Sequence, residues 1–260
     1  MEITFYKYQG TGNDFVVLDN RNGQYNLLEE KHIHLLCDRK FGVGADGMMM
    51  LETMDGYDFK MKYYNADGKE GSMCGNGGRC LVQFAKDMGI LRDHYRFMAV
   101  DGPHDAAIGG DGLIRLKMQD VNGISFDNDA VVLNTGSPHF VKLIDNLDQF
   151  DVFNEGRKIR YNETYAEKGI NVNFVCTLND GIRVRTYERG VENETLSCGT
   201  GVTAAAIATS NGTGKKHVTV IVEGGRLEVE FNKIDENHCS DIWLIGPAAL
   251  VFSGNIRLAF

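Results

Sequence analysis

The sequence predicts an α+β fold of two pseudo-symmetric domains, each a curved, mostly antiparallel sheet wrapped around a central helix. Three observations predict it. A short phrase occurs twice: Cys74-Gly75-Asn76-Gly77-Gly78 runs into the apolar stretch Leu81, Val82, Phe84, Ala85, Met88, and Cys198-Gly199-Thr200-Gly201 runs into Val202, Ala204, Ala205, Ala206, Ile207. The spacing repeats as well, because 124 positions separate Cys74 from Cys198 and also Thr11-Gly12-Asn13 from Thr135-Gly136-Ser137, which points to an internal duplication. Between these landmarks, short strand-like runs are broken by Gly, Asp and Asn turn residues. The segment Val202–Ala208 is apolar nearly all round and must be buried on every side, which a wrapping sheet supplies.

In chain order, Ile3–Tyr8 reads as a strand stopped by Gly10-Thr11-Gly12, with Asn13 and Asp14 in the turn before the strand Phe15–Leu18. A helix is expected from Leu27 to about Asp38, with Leu28, Ile33, Leu36 and Cys37 on one face. Gly42-Val43-Gly44-Ala45-Asp46-Gly47 matches the dinucleotide fingerprint, but a helix precedes it and the strand Met48–Leu51 follows it, the reverse of the required order. It is read as a helix-to-strand loop. Gly199–Ala204 fits the relaxed fingerprint without a strand leading into it, so no nicotinamide or flavin cofactor is expected.

Phe59–Tyr64 alternates as a strand and delivers the turn Asn65-Ala66-Asp67-Gly68 just before Cys74. Strands follow at Tyr95–Val100 and Leu113–Met118, then a polar passage from Met118 to Asp129 with no clear element. The boundary is placed there, giving a first domain of residues 1–117 plus 249–260 and a second of 118–248. The second half restarts with Ala130–Leu133, the counterpart of the opening strand, and continues through strands at 140–144, 172–178, 182–187, 217–222, 226–231 and 242–245.

A cysteine at a glycine-rich helix start lies among backbone amides that attract anions, and its thiol pKa is lowered there. A lone cysteine is more often a small buried hydrophobe. Two related by pseudo-symmetry suggest instead a base and an acid facing one carbon from opposite sides, as stereochemical inversion requires. An interdomain cleft is the expected ligand position.

Composition narrows the partners. A formal charge of −9 with no compensating Lys/Arg run argues against nucleic acid, and no uninterrupted apolar run reaches membrane-spanning length. The chain reads as cytoplasmic, with a small-molecule ligand; a homodimer is compatible with it. Six cysteines at 37, 74, 80, 176, 198 and 239 without a secretion signal are expected as reduced thiols, and Cys74 and Cys80 lack zinc-ligand spacing. No metal is expected.

The motifs Gly12-Asn13-Asp14-Phe15, Asn65-Ala66-Asp67-Gly68, Cys74-Gly75-Asn76-Gly77, Gly136-Ser137-Pro138-His139, Asn171 in Gly-Ile-Asn-Val-Asn-Phe, Glu188-Arg189-Gly190 and Cys198-Gly199-Thr200-Gly201 stand in an order that resembles the diaminopimelate epimerase family over essentially the whole chain. The resemblance implies interconversion of LL-2,6-diaminopimelate and its meso isomer in lysine biosynthesis, without pyridoxal phosphate or metal. It implies Cys74 and Cys198 as the two bases, with the amides of Gly75, Asn76, Gly199 and Thr200 around the reacting carboxylate. Arg189 suits the distal carboxylate through a bidentate fork, with Glu188, Asn65 and Asn171 near the distal ammonium. Asn13 and Ser137 join the binding set, and His139 with Glu188 adjusts the thiol pKa values.

Two departures stand out: many members carry Asn where this chain has Ser137 and Gln where it has Gly47. An alternative enzyme is a proline or hydroxyproline racemase-like activity, which also uses two cysteines but has no second amino acid group to hold. A non-enzymatic alternative is a small-molecule binding protein with redox-active thiols.

Overall fold

The computed structural model describes residues 1–71 and 73–258, so residues 259–260 of the expected first domain lie outside the described residues. The chain divides into two compact units, Met1–Leu116 with Gly246–Phe260, and Lys117–Ile245. In unit 1 the elements are β1 (Glu2–Gly10), β2 (Asn13–Asp19), α1 (Glu30–Cys37), β3 (Gly47–Glu52), β4 (Phe59–Asn65), α2 (Gly75–Asp87), β5 (His94–Ala99), β6 (Gly102–Ile108) and β7 (Ile114–Lys117, ending at the boundary). Unit 2 carries β8 (Val121–Asn122), β9 (Ile124–Asp127), β10 (Ala130–Asn134), β11 (Pro138–Leu143), α3 (Val152–Arg160), β12 (Asn171–Leu178), β13 (Gly181–Glu188), β14 (Asn193–Thr195), α4 (Gly199–Thr209), β15 (Gly214–Val222), β16 (Gly225–Lys233) and β17 (His238–Gly246). The chain then returns to unit 1 as β18 (Ala249–Arg257).

Pairing in unit 1 runs β18-β1-β2-β3-β4-β5-β6-β7, antiparallel except for the parallel pairs β2–β3 and β4–β5. In unit 2 it runs β9-β10-β11-β12-β13-β15-β16-β17, again antiparallel except at the third and fifth junctions, β11–β12 and β13–β15. The two orders are the same list of senses. The duplication read from the spacing is thus a duplicated topology, with β18 and β9 in equivalent edge positions.

Each sheet surrounds one helix. Helix α2 packs against β1, β2, β3, β4 and β18, and α4 against β10, β11, β12, β13, β15 and β16. Leu81, Val82, Phe84 and Ala85 of α2 are wholly buried, as are Val202 and residues Ala204 to Ile207 of α4. Strand side chains close around them: Phe15 and Met49 lie against Gly77 and Tyr6 and Tyr8 against Phe84 of α2, and Asn173 against Gly201 of α4; Val16 and Met48 belong instead to a cluster with α1, and Val172 to one with α3. The Gly42–Gly47 stretch connects α1 to β3, so the fingerprint-like glycines form the helix-to-strand loop expected of them.

Two expectations are corrected. The first helix begins at Glu30 rather than Leu27, because Tyr25, Asn26 and Leu28 close turns onto Asn20, Gly23 and Tyr25, and Glu29 forms a capping box with His32. The passage from Met118 to Asp129 is not structureless: Ile124–Asp127 is β9, paired with β10 from Ala130↔Asp127 to Leu133↔Ile124, and Val121–Asn122 pairs with β17. Its polar composition fits an edge strand rather than a loop.

Candidate active site

Both catalytic candidates stand at the same structural position. Cys74 is the N-cap of α2 and Cys198 the N-cap of α4, each in extended backbone and neither capping the helix with its side chain. Their carbonyls accept the first intrahelical bonds, from Gly78 N–H at 2.7 Å and Val202 N–H at 2.8 Å. The amides of the first turn, Gly75 and Asn76 in one unit and Gly199 and Thr200 in the other, have no acceptor within their own helix. Together with the helix dipole they form a place for negative charge in each unit.

In unit 1 the start of β2, the start of β3, the end of β4 and the start of α2 lie at one end of the sheet, as the pairs Phe15↔Gly47 and Gly47↔Asn65 require. Asn13 follows a two-residue hairpin loop in which Thr11 and Gly12 both have positive φ, 51° and 83°. Its Nδ2 donates to Asp46 Oδ2 at 2.6 Å, and its Oδ1 faces Asn76 Nδ2 at 3.4 Å and Cys74 Sγ at 3.6 Å. Asn13, Cys74, Gly75 and Asn76 are therefore brought together. Asn65 ends β4 beside Gly47 and has no hydrogen bond to that cluster. Asp14, next to Asn13, is a scaffold charge: burial opposes its ionisation, but Arg39 and Lys7 hold its pKa down at about 2.

Unit 2 repeats the arrangement with other chemistry. Thr135 Oγ1 donates to Thr200 O at 2.8 Å, tying the β10–β11 turn to the start of α4, and Cys198 Sγ lies 3.5 Å from Thr200 Oγ1. Ser137, Asn171 and Arg189 form one group: Asn171 Nδ2 and Arg189 Nη2 both donate to Ser137 Oγ, at 2.9 and 3.2 Å, and Asn171 Oδ1 accepts from Arg189 N–H at 2.9 Å. The Asn171 amide thus orients Arg189 and Ser137. The Arg189 side chain crosses Gly169, where a Cβ would lie 2.6 Å from Arg189 Cδ, and its Nη1 reaches Lys168 O at 3.1 Å. Glu188 ends β13 and accepts from Thr195 Oγ1 at 2.8 Å.

His139 is wholly buried. Burial, and then the positive charge of Arg189, pushes its pKa down to about 3, so the ring is neutral at working pH. Asn173 Nδ2 lies 3.1 Å from His139 Nδ1 and 3.1 Å from Phe140 O, while Asn173 Oδ1 accepts from Thr186 Oγ1 at 2.9 Å. With the amide oriented by Thr186, Nδ1 is an acceptor and the ring proton sits on Nε2. Burial pushes the Cys37 and Cys80 thiols up to about 12.

Sequence reading missed Asp46, Arg79, Thr135, Asn173 and Thr186. Thr135 had a signal, because it repeats Thr11 at the common offset. The others had none: Arg79 and Thr186 look like exposed polar residues of a helix and a strand, and only the fold buries them. Among the described residues no three His, Cys, Asp or Glu side chains group so as to hold a metal ion, and no helix is long and apolar enough to cross a membrane.

The family model for diaminopimelate epimerase matches residues 5–124 and 131–251, once in each half of the chain. A diaminopimelate epimerase of Flavobacterium psychrophilum is 50% identical over 98% of this chain and 100% of its own, and one of Chlorobaculum tepidum 44% identical over 96% and 99%. Among solved structures, a Bacillus anthracis phenazine biosynthesis protein of the PhzF family aligns with a TM-score of 0.75 at 16% identity, covering 99% of this chain and 100% of that one. A hydroxyproline epimerase from Agrobacterium vitis aligns at 0.67 and 12%, covering 98% and 92%. At those identities the likeness is one of fold. Half-and-half topology, the twice-matched family model and full-length identity of up to 50% agree: the chain belongs to the diaminopimelate epimerase family.

Proposed function

We propose that the chain interconverts LL-2,6-diaminopimelate and its meso isomer without a cofactor, with Cys74 and Cys198 as the two bases, one thiolate and one thiol at a time. The observation that carries this reading is the pair of cysteine N-caps, one on the central helix of each unit. An amino acid α-carbon is a very weak acid, so its deprotonation needs strong stabilisation of developing charge. The first-turn amides of Gly75, Asn76, Gly199 and Thr200 supply it at the reacting carboxylate. Because the two thiols work on one carbon, pH titrates them as a pair.

The distal amino acid group is held and never inverted. Arg189 takes its carboxylate, with Ser137 completing the fork; Glu188, Asn65 and Asn171 accept from its ammonium or complete the cage around it. A neutral His139 serves as a hydrogen-bonding neighbour rather than a proton carrier, and Glu188 adds negative charge near the thiols. The enzyme works in the cytoplasm on a free small molecule, with no nucleic acid partner, as a monomer or homodimer.

A racemase of cyclic imino acids is the competing reading on fold alone. The Arg189–Ser137–Asn171 group disfavours it, since proline offers no second carboxylate. The test is incubation of the enzyme in D₂O with LL-2,6-diaminopimelate and, separately, with proline and 4-hydroxyproline, without added cofactor and followed by NMR. Each inversion of diaminopimelate is expected to place deuterium on one α-carbon. Product that keeps its α-hydrogen, or exchange of proline alone, would overturn the reading.

A further inference from the structure

Arg79 is 0% exposed, yet every partner of its guanidinium is neutral. Nη1 donates to Gly75 O at 3.3 Å, and Nη2 to Asn76 Oδ1 at 2.9 Å and Thr11 Oγ1 at 3.1 Å, while Nε has no partner. No carboxylate of the described residues reaches it, and the ionisable groups whose charge it feels are Cys80 and Cys74. Burying a cation without a counter-charge is unfavourable. Position 203, which lies 124 residues on, is Thr203, whose hydroxyl donates to Gly199 O at 3.0 Å. The fold itself therefore does not require a charge at this place.

What the buried cation controls is the polarity of the half-site. Arg79 can only donate, so Asn76 must turn Oδ1 inward and Nδ2 toward Asn13 Oδ1, 3.4 Å away. At the other end Asp46 can only accept, so Asn13 turns Nδ2 toward it at 2.6 Å. Two amides are thus fixed between one cation and one carboxylate, and Cys74 Sγ sits 3.6 Å from the Asn13 oxygen. Arg79 lies four residues after Gly75 and its side chain folds back toward the helix start, adding a full charge to the helix's partial one.

We propose that Arg79 is a positioning residue of the unit 1 half-site, fixing the amides of Asn76 and Asn13 beside Cys74 and holding an unbalanced positive charge that the carboxylate of the bound substrate offsets. The proposal rests on the epimerase reading for the identity of that carboxylate. It makes unit 1 the electropositive half at the reacting end.

The test uses the full chain and reads thermal unfolding first without ligand. Asn76→Asp places a carboxylate against the guanidinium, so it is expected to raise Tm; in an Arg79→Met background the same substitution buries a lone carboxylate and lowers Tm. An equal fall in both backgrounds would overturn the proposal, and if Arg79→Met does not fold, the sign of Asn76→Asp alone decides. With LL-2,6-diaminopimelate added, the rise in Tm seen for the parent is expected to vanish in Arg79→Met and to survive partly in Arg79→Lys. Arg79→Met should lower kcat/KM by at least about 10-fold, mainly through KM, the scale of one charge-assisted hydrogen bond. An undiminished ligand-induced rise in Arg79→Met would also overturn it. A parent that diaminopimelate fails to stabilise would count against the epimerase reading, while the sign reversal still decides the charge.

Discussion

Gly47 and Tyr63 share one space: a Cβ on Gly47 would lie 2.7 Å from the Tyr63 ring and 2.9 Å from its hydroxyl, with the Tyr64 carbonyl oxygen also at 2.7 Å. The glutamine that the family resemblance implies at this position would therefore meet a tyrosine of the neighbouring strand. Gly47→Gln is expected to destabilise the protein by about 1–3 kcal/mol, the range for overpacking. Urea unfolding of Gly47→Gln and Gly47→Gln/Tyr63→Ala checks it, and the second substitution should recover part of the loss, the backbone contact remaining.

Arg189 is oriented by the Asn171 amide and by Ser137 rather than by a carboxylate, which leaves its charge for a ligand. Arg189→Lys keeps the charge and loses the fork, so kcat/KM for diaminopimelate should fall by about 10- to 150-fold, equivalent to about 1.5–3 kcal/mol. Steady-state kinetics decides, and a change of twofold or less would remove Arg189 from substrate binding.

The depressed pKa of His139 makes stability pH-dependent with a definite sign. The unfolded chain takes up its imidazole proton near pH 6.5, whereas the folded chain resists until about 3. The stabilising contribution is therefore complete above about pH 6.5 and is lost as pH falls toward 3, with a slope of up to about 1.4 kcal/mol per pH unit. Chemical denaturation between pH 7 and 4 should show a shallower fall in His139→Gln than in the parent.

Equivalent glycines of the two helices should respond differently to alanine. At Gly201 a Cβ would meet Asn173 Oδ1 at 2.4 Å, and that oxygen is held by Thr186; at Gly77 it would meet the flexible Met49 Sδ at 3.1 Å. Gly201→Ala is expected to cost about 1–3 kcal/mol while Gly77→Ala is near neutral, helix propensity offsetting the mild contact. Paired Tm measurements would contradict this if the two variants matched.

The elements that announced themselves in the sequence were those with a strong period or a repeated landmark. The two cysteine-led helices and the strands from Phe59 and Val172 were legible because burial on one or all faces leaves an apolar signature. Helix α3 was not, since Val152–Arg160 is mostly polar and has Gly156 at its centre. The glycine is there because a Cβ would fall 2.4 Å from Tyr187 Cβ, a contact that no local pattern encodes. Strand β9 was hidden for a related reason: Phe126 and Ser125 point outward from an edge, so nothing selects alternation. At the site, residues named by repeated motifs could be listed in advance, whereas Asp46 and Asn173 find their partners, Asn13 and His139, 33 and 34 positions away, and Arg79 joins Asn76 on its own helix to Thr11, 68 positions away.

The return of the chain to unit 1 as β18 sets an order on biosynthesis. Strand β1 is translated before unit 2, but its partner β18, paired with it from Glu2↔Arg257 to Gln9↔Ala249, is translated only after it. Unit 2 has its own edge, β9, in hand from the outset. One half can therefore mature during translation while the other waits with a bare β1 edge, and a nascent chain stalled before Ala249 would offer that edge to chaperones or to its neighbours on the polysome.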